Sequence, residues 1–444
     1  MPGNLTAAEL SAAIDTGEID TVVVAFADAQ GRLVGKRVSG RMWRDVVQSH
    51  GAEACNYLLS VDVDLNTVDG YPMSSWETGY GDMMLVPDLT TLRRIPWQPG
   101  AALVMADLQW EDGSAVVQSP RAILDRQRGR LAERGLVAYS GTELEFIVFD
   151  DSYREAWAKG YRDLRASTDY NVDYNLLATT RLEPLLRDIR NGMEAAGLYC
   201  EGVKGECNFG QQEIAFRYAE VQETADQHTL YKNGAKEIAD AHGKALTFMA
   251  KFNEREGNSC HIHLSVRSEA GEPVMAGPLM GHWIAGILAT MRELTLLYAP
   301  TINSYKRYAK GSFAPTGIAW GIDNRTCALR IVGHGSGLRV ENRVPGGDVN
   351  PYLAISAIIA GGLYGIENEL PLPDALTGNA YEAGVDTLPT TLREAAELFA
   401  GSSIARAAFG DEMVEHYLNQ ARIEVEAYDA AVTDWERVRG FERL

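Results

Sequence analysis

Gly141-Thr142-Glu143-Leu144-Glu145-Phe146-Ile147-Val148-Phe149-Asp150 is rich in β-branched and aromatic residues and reads as a strand. Side chains alternate faces along a strand, so Glu143 and Glu145 project to one side while Leu144 and Phe146 project to the other. Two adjacent carboxylates repel, which points to a cation between them or to a raised pKa; the plainer alternative is a hairpin edge with both acids in water. Other segments carry the same pattern. In residues 260–265, His261, His263 and Ser265 share one face and Cys260, Ile262 and Leu264 the other. In residues 338–344, Arg339, Glu341 and Arg343 share a face, with a solvated charge ladder as the alternative. Glu206 and Glu213 bracket a short loop holding Gly210, where a turn would fold both acids toward one ion. Together these donors are rich in oxygen, with imidazole and without thiolate, a set suited to Mg²⁺ or Mn²⁺ rather than zinc. Arginines beside such ions fit phosphate, because guanidinium pairs with phosphoryl oxygens in bidentate fashion. Spacing and residue type thus point to metal-dependent phosphoryl-group chemistry.

The chain of 444 residues has room for more than one core. Residues 6–17 read as a helix. Residues 21–27 and 32–38 flank a polar turn ending in Gly31, a hairpin pattern, and apolar strands are expected at 83–86 and 102–108. A boundary is expected near 110, with a small N-terminal β domain (1–110) ahead of a larger domain (111–444) that carries the clustered acids, histidines and arginines. Ser119-Pro120 opens a helix, and further helices are expected at 180–196, 224–250, 282–298, 351–369, 390–408 and 411–430. Short strands are expected within 197–218 and at 259–267, 326–332 and 337–344. Strands segregated from helices predict an α+β fold, a sheet with helices on its outer side. No apolar run reaches the ~20 residues of a membrane span and no signal segment opens the chain, so a cytoplasmic protein is expected. Five scattered cysteines without CxxC spacing read as reduced core filler. A formal charge of −20 argues against nucleic-acid and anionic-membrane partners, although part of that excess sits in the clustered acids.

Residues 141–150, 206–213 with their Gly210-Gln211 core, Asn303-Ser304-Tyr305-Lys306-Arg307, 324–330, and Glu341-Asn342-Arg343 leading to Asn350-Pro351-Tyr352 resemble the signature segments of glutamine synthetases. They occur in order, the similarity spans nearly the whole chain, and residues 82–88 resemble that family's N-terminal segment. The resemblance implies a β-grasp-like N-terminal domain and a large catalytic domain with a curved antiparallel sheet flanked by helices. It also implies ATP as co-substrate, L-glutamate as substrate, and a double hexameric ring with active sites between neighbouring subunits. By matching position, Glu145, Glu206 and Glu213 would hold one Mg²⁺ or Mn²⁺ ion and Glu143, His261 and Glu341 another, with two or three ions per site. Glu201, Tyr218, His263, Ser265, Arg325, Arg330 and Arg339 would contact ATP. Arg307, Arg325, Arg343 and the Gly257 backbone would hold glutamate, and Arg325 would touch the transferring phosphate.

The chain departs from the family in the region that handles ammonium. Phe313 stands where the family's mobile loop carries a glutamate that takes a proton from ammonium, and an aromatic ring cannot do so. Asp69 lies in Asp69-Gly70-Tyr71-Pro72 rather than in a D-G-S-S motif, and Glu256 replaces an asparagine. An apolar wall suits the carbon skeleton of an organic amine. The expectation is therefore γ-glutamylation of ethanolamine, a short alkylamine or a polyamine, with Asp69, Phe313 and Arg325 closest to the chemistry. Two alternatives are an ammonia-using glutamine synthetase with another base, and a catalytically silent ring-forming relative, which would not need all six ion ligands. Tyr381 matches a loop that is nucleotidylated in some bacterial relatives and reads here as an unmodified surface tyrosine.

Overall fold

The computed structural model describes residues 3–444. The first helix, Ala7–Asp15, starts at a capping box in which Thr6 accepts from the Glu9 backbone and Glu9 accepts from the Thr6 backbone. The hairpin follows as β1 (Thr21–Ala27) and β2 (Leu33–Ser39). Its turn is pinned by the Asp28 carboxylate, which accepts from the backbone N–H groups of Gln30 and Arg32, and by Gly31 at φ +77°. β3 (Ala52–Cys55), β4 (Asp82–Pro87), β5 (Arg93–Arg94) and β6 (Ala101–Gln109) complete a six-stranded sheet of order β2-β1-β6-β4-β3, with β5 beside β6. β1 and β6 run parallel; the other pairs are antiparallel. Val22, Val24, Phe26, Leu85 and Val104 pack under it with Leu10 and Trp43.

The second sheet is nine-stranded: β7 (Leu136–Phe149), β8 (Cys200–Gly205), β9 (Gln211–Phe216), β10 (Ala219–Glu220), β11 (Ala245–Thr247), β12 (Cys260–Ser268), β13 (Trp320–Ile322), β14 (Leu329–Val332) and β15 (Arg339–Asn342). Its order is β13-β14-β15-β12-β7-β9-β8, with β10 and β11 also on β7. Only β13 and β14 pair in parallel. Leu144, Phe146, Ile214, Ile262 and Val340 point from one face into a core shared with helices Leu176–Ala195, Val221–Ala241, Leu279–Tyr298 and Pro351–Glu367. The architecture is α+β, with a small N-terminal β domain ahead of the larger sheet and its helices. Helices Leu279–Tyr298 and Pro351–Glu367 approach closely because both carry glycine at the crossing: a Cβ on Gly286 would lie 2.1 Å from the Gly361 carbonyl oxygen.

The two sheets are tied by polar contacts. Arg121, on helix Pro120–Ala132, donates to Asp88, Asp107 and Asp226, and Asn350 Nδ2 donates to the carbonyls of Asp28 and Ala29 in the hairpin turn. Helix Asp411–Ala430 carries Asn419, whose Nδ2 donates to the Asp69 carbonyl at 2.9 Å, and His416, whose ring packs 4.7 Å from that of Tyr71.

Some expected elements differ. The helix expected to reach residue 250 ends at Ala241, because Gly243 (φ +66°) turns the chain and Ala245–Thr247 pairs with β7. The 390–408 helix is two, Leu392–Gly401 and Ser403–Phe409, since Ser402 is extended and caps the second. A short helix, Asp434–Gly440, was not anticipated. Among the described residues no helix is long and apolar enough to cross a membrane.

Candidate active site

Strand register builds the site. In antiparallel pairs, directly opposite residues share a face with Cβ atoms about 5 Å apart. Here His261 faces Glu143, His263 faces Glu341, Glu145 faces Glu213 and Arg330 faces Glu341. The alternation that buries Leu144, Phe146 and Ile262 delivers these groups to the opposite side of the sheet. Glu206 joins them through the turn: its N–H donates to the Gln211 carbonyl, closed by Gly210 at φ +72°. Carboxylate oxygens of Glu145, Glu206 and Glu213 lie within 4.8 Å of one another. They line a cleft of about 280 Å³ with Gly257, Phe313, Arg325, Arg330 and Arg343.

Ligand atoms of Glu143, His263 and Glu341 also lie within 4.8 Å of one another, so distance alone nominates His263 where the sequence resemblance names His261. Hydrogen-bond chemistry separates the two imidazoles. Arg339 Nε donates to His263 Nδ1 at 3.1 Å, and a guanidinium can only donate, so the His263 proton sits on Nε2, 3.0 Å from Glu143 Oε1. His263 therefore has no lone pair left for an ion. His261 Nδ1 sits 3.3 Å from Glu143 Oε2 and 3.5 Å from Glu341 Oε1 with no guanidinium donating to it, whereas the buried Nε2 atoms of both rings lack a hydrogen-bond partner and do not separate them. Burial and the nearby Arg343 hold the His261 pKa below its usual value, which keeps the ring neutral. A neutral imidazole between two carboxylates, next to three more carboxylates, fits hard divalent cations.

The acids are braced. Glu145 Oε2 accepts from the Ser259 backbone at 2.7 Å and from Gln211 Nε2 at 3.1 Å. Gln211 Nε2 also donates to the Gly257 carbonyl and to Asn258 Oδ1. Glu341, fully buried, accepts from Arg330 at 2.8 Å and Arg343 at 2.5 Å. Burial, aided by Glu143, Glu145 and Glu341 and opposed by Lys204, pushes the Glu213 carboxyl up to about 8.

A second cleft of about 290 Å³ opens on the other side of Glu143. It is lined by Glu201, Tyr218, His263, Ser265 and Arg339 of the expected ATP set, joined by Tyr139 and Arg267. Arg267 stacks over both tyrosine rings, with its guanidinium carbon 4.9 Å from the Tyr139 centroid and 5.7 Å from that of Tyr218. Arg330 and Arg325 line the first cleft instead.

Two expected site residues do not reach the cleft in this chain. Arg307 is buried, and its guanidinium donates to the Val344 carbonyl and Ser259 Oγ, bracing the wall behind Gly257 rather than facing the opening. Asp69 is exposed on the N-terminal domain, held against helix Asp411–Ala430. Phe313 does line the cleft, exposed and at φ +59°, and its carbonyl accepts from Arg343. The loop behind it is latched by Tyr381, whose hydroxyl donates to the Ala314 carbonyl at 2.9 Å; this tyrosine is half-buried rather than on the open surface. Cys207 also lines the cleft, so it is not core filler, and burial raises its thiol to about 11, which keeps it protonated. Lys204, Asp173 and Tyr174 complete the wall and went unread in the sequence. Lys204 was legible, two positions before Glu206 on one strand face, whereas Asp173 and Tyr174 belong to an irregular loop with no period.

The family described as "Glutamine synthetase, catalytic domain" matches residues 117–439. The chain is 60% identical over 441 residues to the γ-glutamylethanolamide synthetase GlnA4 of Streptomyces coelicolor, covering 98% of this chain and 96% of that protein. It is 37% identical to the glutamate–isopropylamine ligase of a Pseudomonas species, over 96% of both chains. A solved structure of GmaS with ADP superposes with a TM-score of 0.86 at 27% identity, covering 98% of this chain and 99% of that one. On its catalytic-domain match, its full-length relatives and its sheet register, the chain belongs to the glutamine synthetase family of ligases.

Proposed function

We propose that this protein is an ATP-dependent γ-glutamyl amine ligase that joins the γ-carboxylate of L-glutamate to ethanolamine. The observation that carries the amine assignment is the cleft wall. Phe313 and Tyr174 offer apolar surface to a two-carbon skeleton, while Asp173 and Glu256 line the same cleft and suit its ammonium group. The identity with a synthetase named for γ-glutamylethanolamide supports the same reading.

A carboxylate does not condense with an amine in water, because oxide is too poor a leaving group. A γ-carboxylate oxygen of glutamate attacks the γ-phosphorus of ATP, ADP departs, and a γ-glutamyl phosphate forms. The bound ammonium first gives one proton to a cleft carboxylate, Asp173 or Glu256; the freed amine nitrogen then attacks the carbonyl carbon of the acyl phosphate, phosphate departs, and the second nitrogen proton leaves with the departing phosphate. Glu145, Glu206 and Glu213 would hold one Mg²⁺ or Mn²⁺ ion, and Glu143, His261 and Glu341 another. Such ions, when bound, neutralise charge on the phosphoryl oxygens. Arg325 and Arg330 face the same space and orient the phosphoryl group, and Arg343 orients the glutamate. Arg307 acts from behind, holding Ser259 and the Val344 carbonyl in place. The enzyme works in the cytoplasm as a double hexameric ring, where Asp69 completes a neighbouring subunit's cleft.

Phosphate release, followed with glutamate and ATP fixed across ammonium, methylamine, isopropylamine, ethanolamine, putrescine and spermidine, tests the assignment. Ethanolamine is expected to give the highest kcat/KM. Faster turnover with ammonium than with every amine would identify an ammonia-dependent synthetase instead.

A further inference from the structure

β8 and β9 pair so that Lys204 stands opposite Glu213, on the same face as Glu206 two positions on. The Lys204 ammonium contacts Glu206 Oε1 directly and lies 3.7 Å from Glu213 Oε2. On its other side is the Tyr174 ring, with the ammonium 5.0 Å from the centroid, and Asp173 lines the same cleft. This positive charge thus sits with the acids on one side and an aromatic face on the other.

We propose that Lys204 is a tethered counter-ion that competes with a divalent cation for Glu206 and Glu213 and so sets the affinity of that ion site. The proposal rests on the reading that Glu145, Glu206 and Glu213 hold such an ion. Three carboxylates crowded at low exposure repel one another, and one ammonium offsets part of that repulsion. An ion drawing Glu206 and Glu213 to itself must first break the lysine's contacts, and the free energy of those contacts subtracts from ion binding. Tyr174 lowers that cost by receiving the displaced ammonium. Lys204 is a positioning residue here, acting through the acids. Its consequence is a site that fills only when free divalent ion is abundant.

Calorimetric Mn²⁺ titration of the full-length protein, without ATP or glutamate, tests this with wild type, Lys204→Met, Lys204→Gln and Tyr174→Leu. Lys204→Met is expected to tighten one class of Mn²⁺ sites by about tenfold, the size of one modest ion-pair contribution. It should also lower the melting temperature of the metal-free protein and enlarge the upward shift on adding Mn²⁺. Tyr174→Leu is expected to weaken the same class. Lys204→Gln carries the Lys204→Met expectation should the methionine variant fail to fold. Unchanged or weaker Mn²⁺ binding in a folded Lys204 variant overturns the proposal. A wild type that takes up no Mn²⁺ overturns the ion-site reading beneath it, an outcome visible before any variant is made.

Discussion

Glu213 is buried among Glu143, Glu145 and Glu341, and burial first, then those charges, lifts its carboxyl to about 8 from an ordinary 4.5. A folded pKa above the unfolded one means that its stabilising contribution to the metal-free protein is complete below pH 4.5 and is lost as pH rises through 8. A divalent ion needs the deprotonated form, so apparent Mn²⁺ affinity should strengthen by up to about tenfold per pH unit as pH rises toward 8. Calorimetry at pH 6, 7 and 8 checks this, and a flat profile would show that Glu213 is not a ligand. Phe313 gives a second expectation at the same scale. Phe313→Glu restores an acid at the cleft wall and removes apolar surface, so kcat/KM should fall about tenfold for ethanolamine and rise for ammonium. The ratio of the two in a phosphate-release assay reads the exchange of partners directly.

Among the elements, β7, β12 and β15 carry most of the chemistry because a period of two sorts each into an apolar and a polar face. That period is why Glu143, Glu145, His261, His263 and Glu341 could be read from spacing, and why Leu144 and Ile262 were assigned to the other face. What spacing could not supply was register: whether His261 or His263 stands free between the acids depends on which strand pairs with which and on Arg339. Arg307 shows the same limit, since its motif predicts proximity to glutamate but not that its guanidinium faces backbone carbonyls. The overrun of the 224–250 helix arose because β11 is only three residues long, too few to separate from helical periodicity. Helix packing carries its own expectation. Gly286→Ala would drive a methyl into the Gly361 carbonyl, and overpacking of this kind costs about 1–3 kcal/mol. Urea denaturation should show a lower midpoint with an unchanged slope.

Taken as one molecule, the protein buries two histidines, His228 and His416, that are not among the clustered ion ligands. Burial holds His228 down to about 3 and His416 to about 4, against an ordinary 6.5. With folded values depressed, both rings are neutral in the native state, and the stability they contribute is present above pH 6.5 and lost as pH falls through 4 and then 3. Each should cost about 1.4 kcal/mol per pH unit within that window, so melting temperature should drop steeply below pH 6 and His416→Gln should flatten part of the slope. The shared-site reading has a test at this scale. Asp69→Asn and Glu213→Gln homo-oligomers should each be nearly inactive, whereas co-expressed mixtures should regain activity, because some clefts then draw both wild-type residues from different subunits. Mixtures as inactive as their parents would place Asp69 outside the reaction. Helix Asp411–Ala430 grips the Asp69 loop through Asn419 and stacks His416 on Tyr71. On the proposed shared-site reading, Asn419→Ala would loosen that grip while leaving every acid and arginine of the cleft in place, and turnover would fall in the neighbour although no reacting atom had been altered.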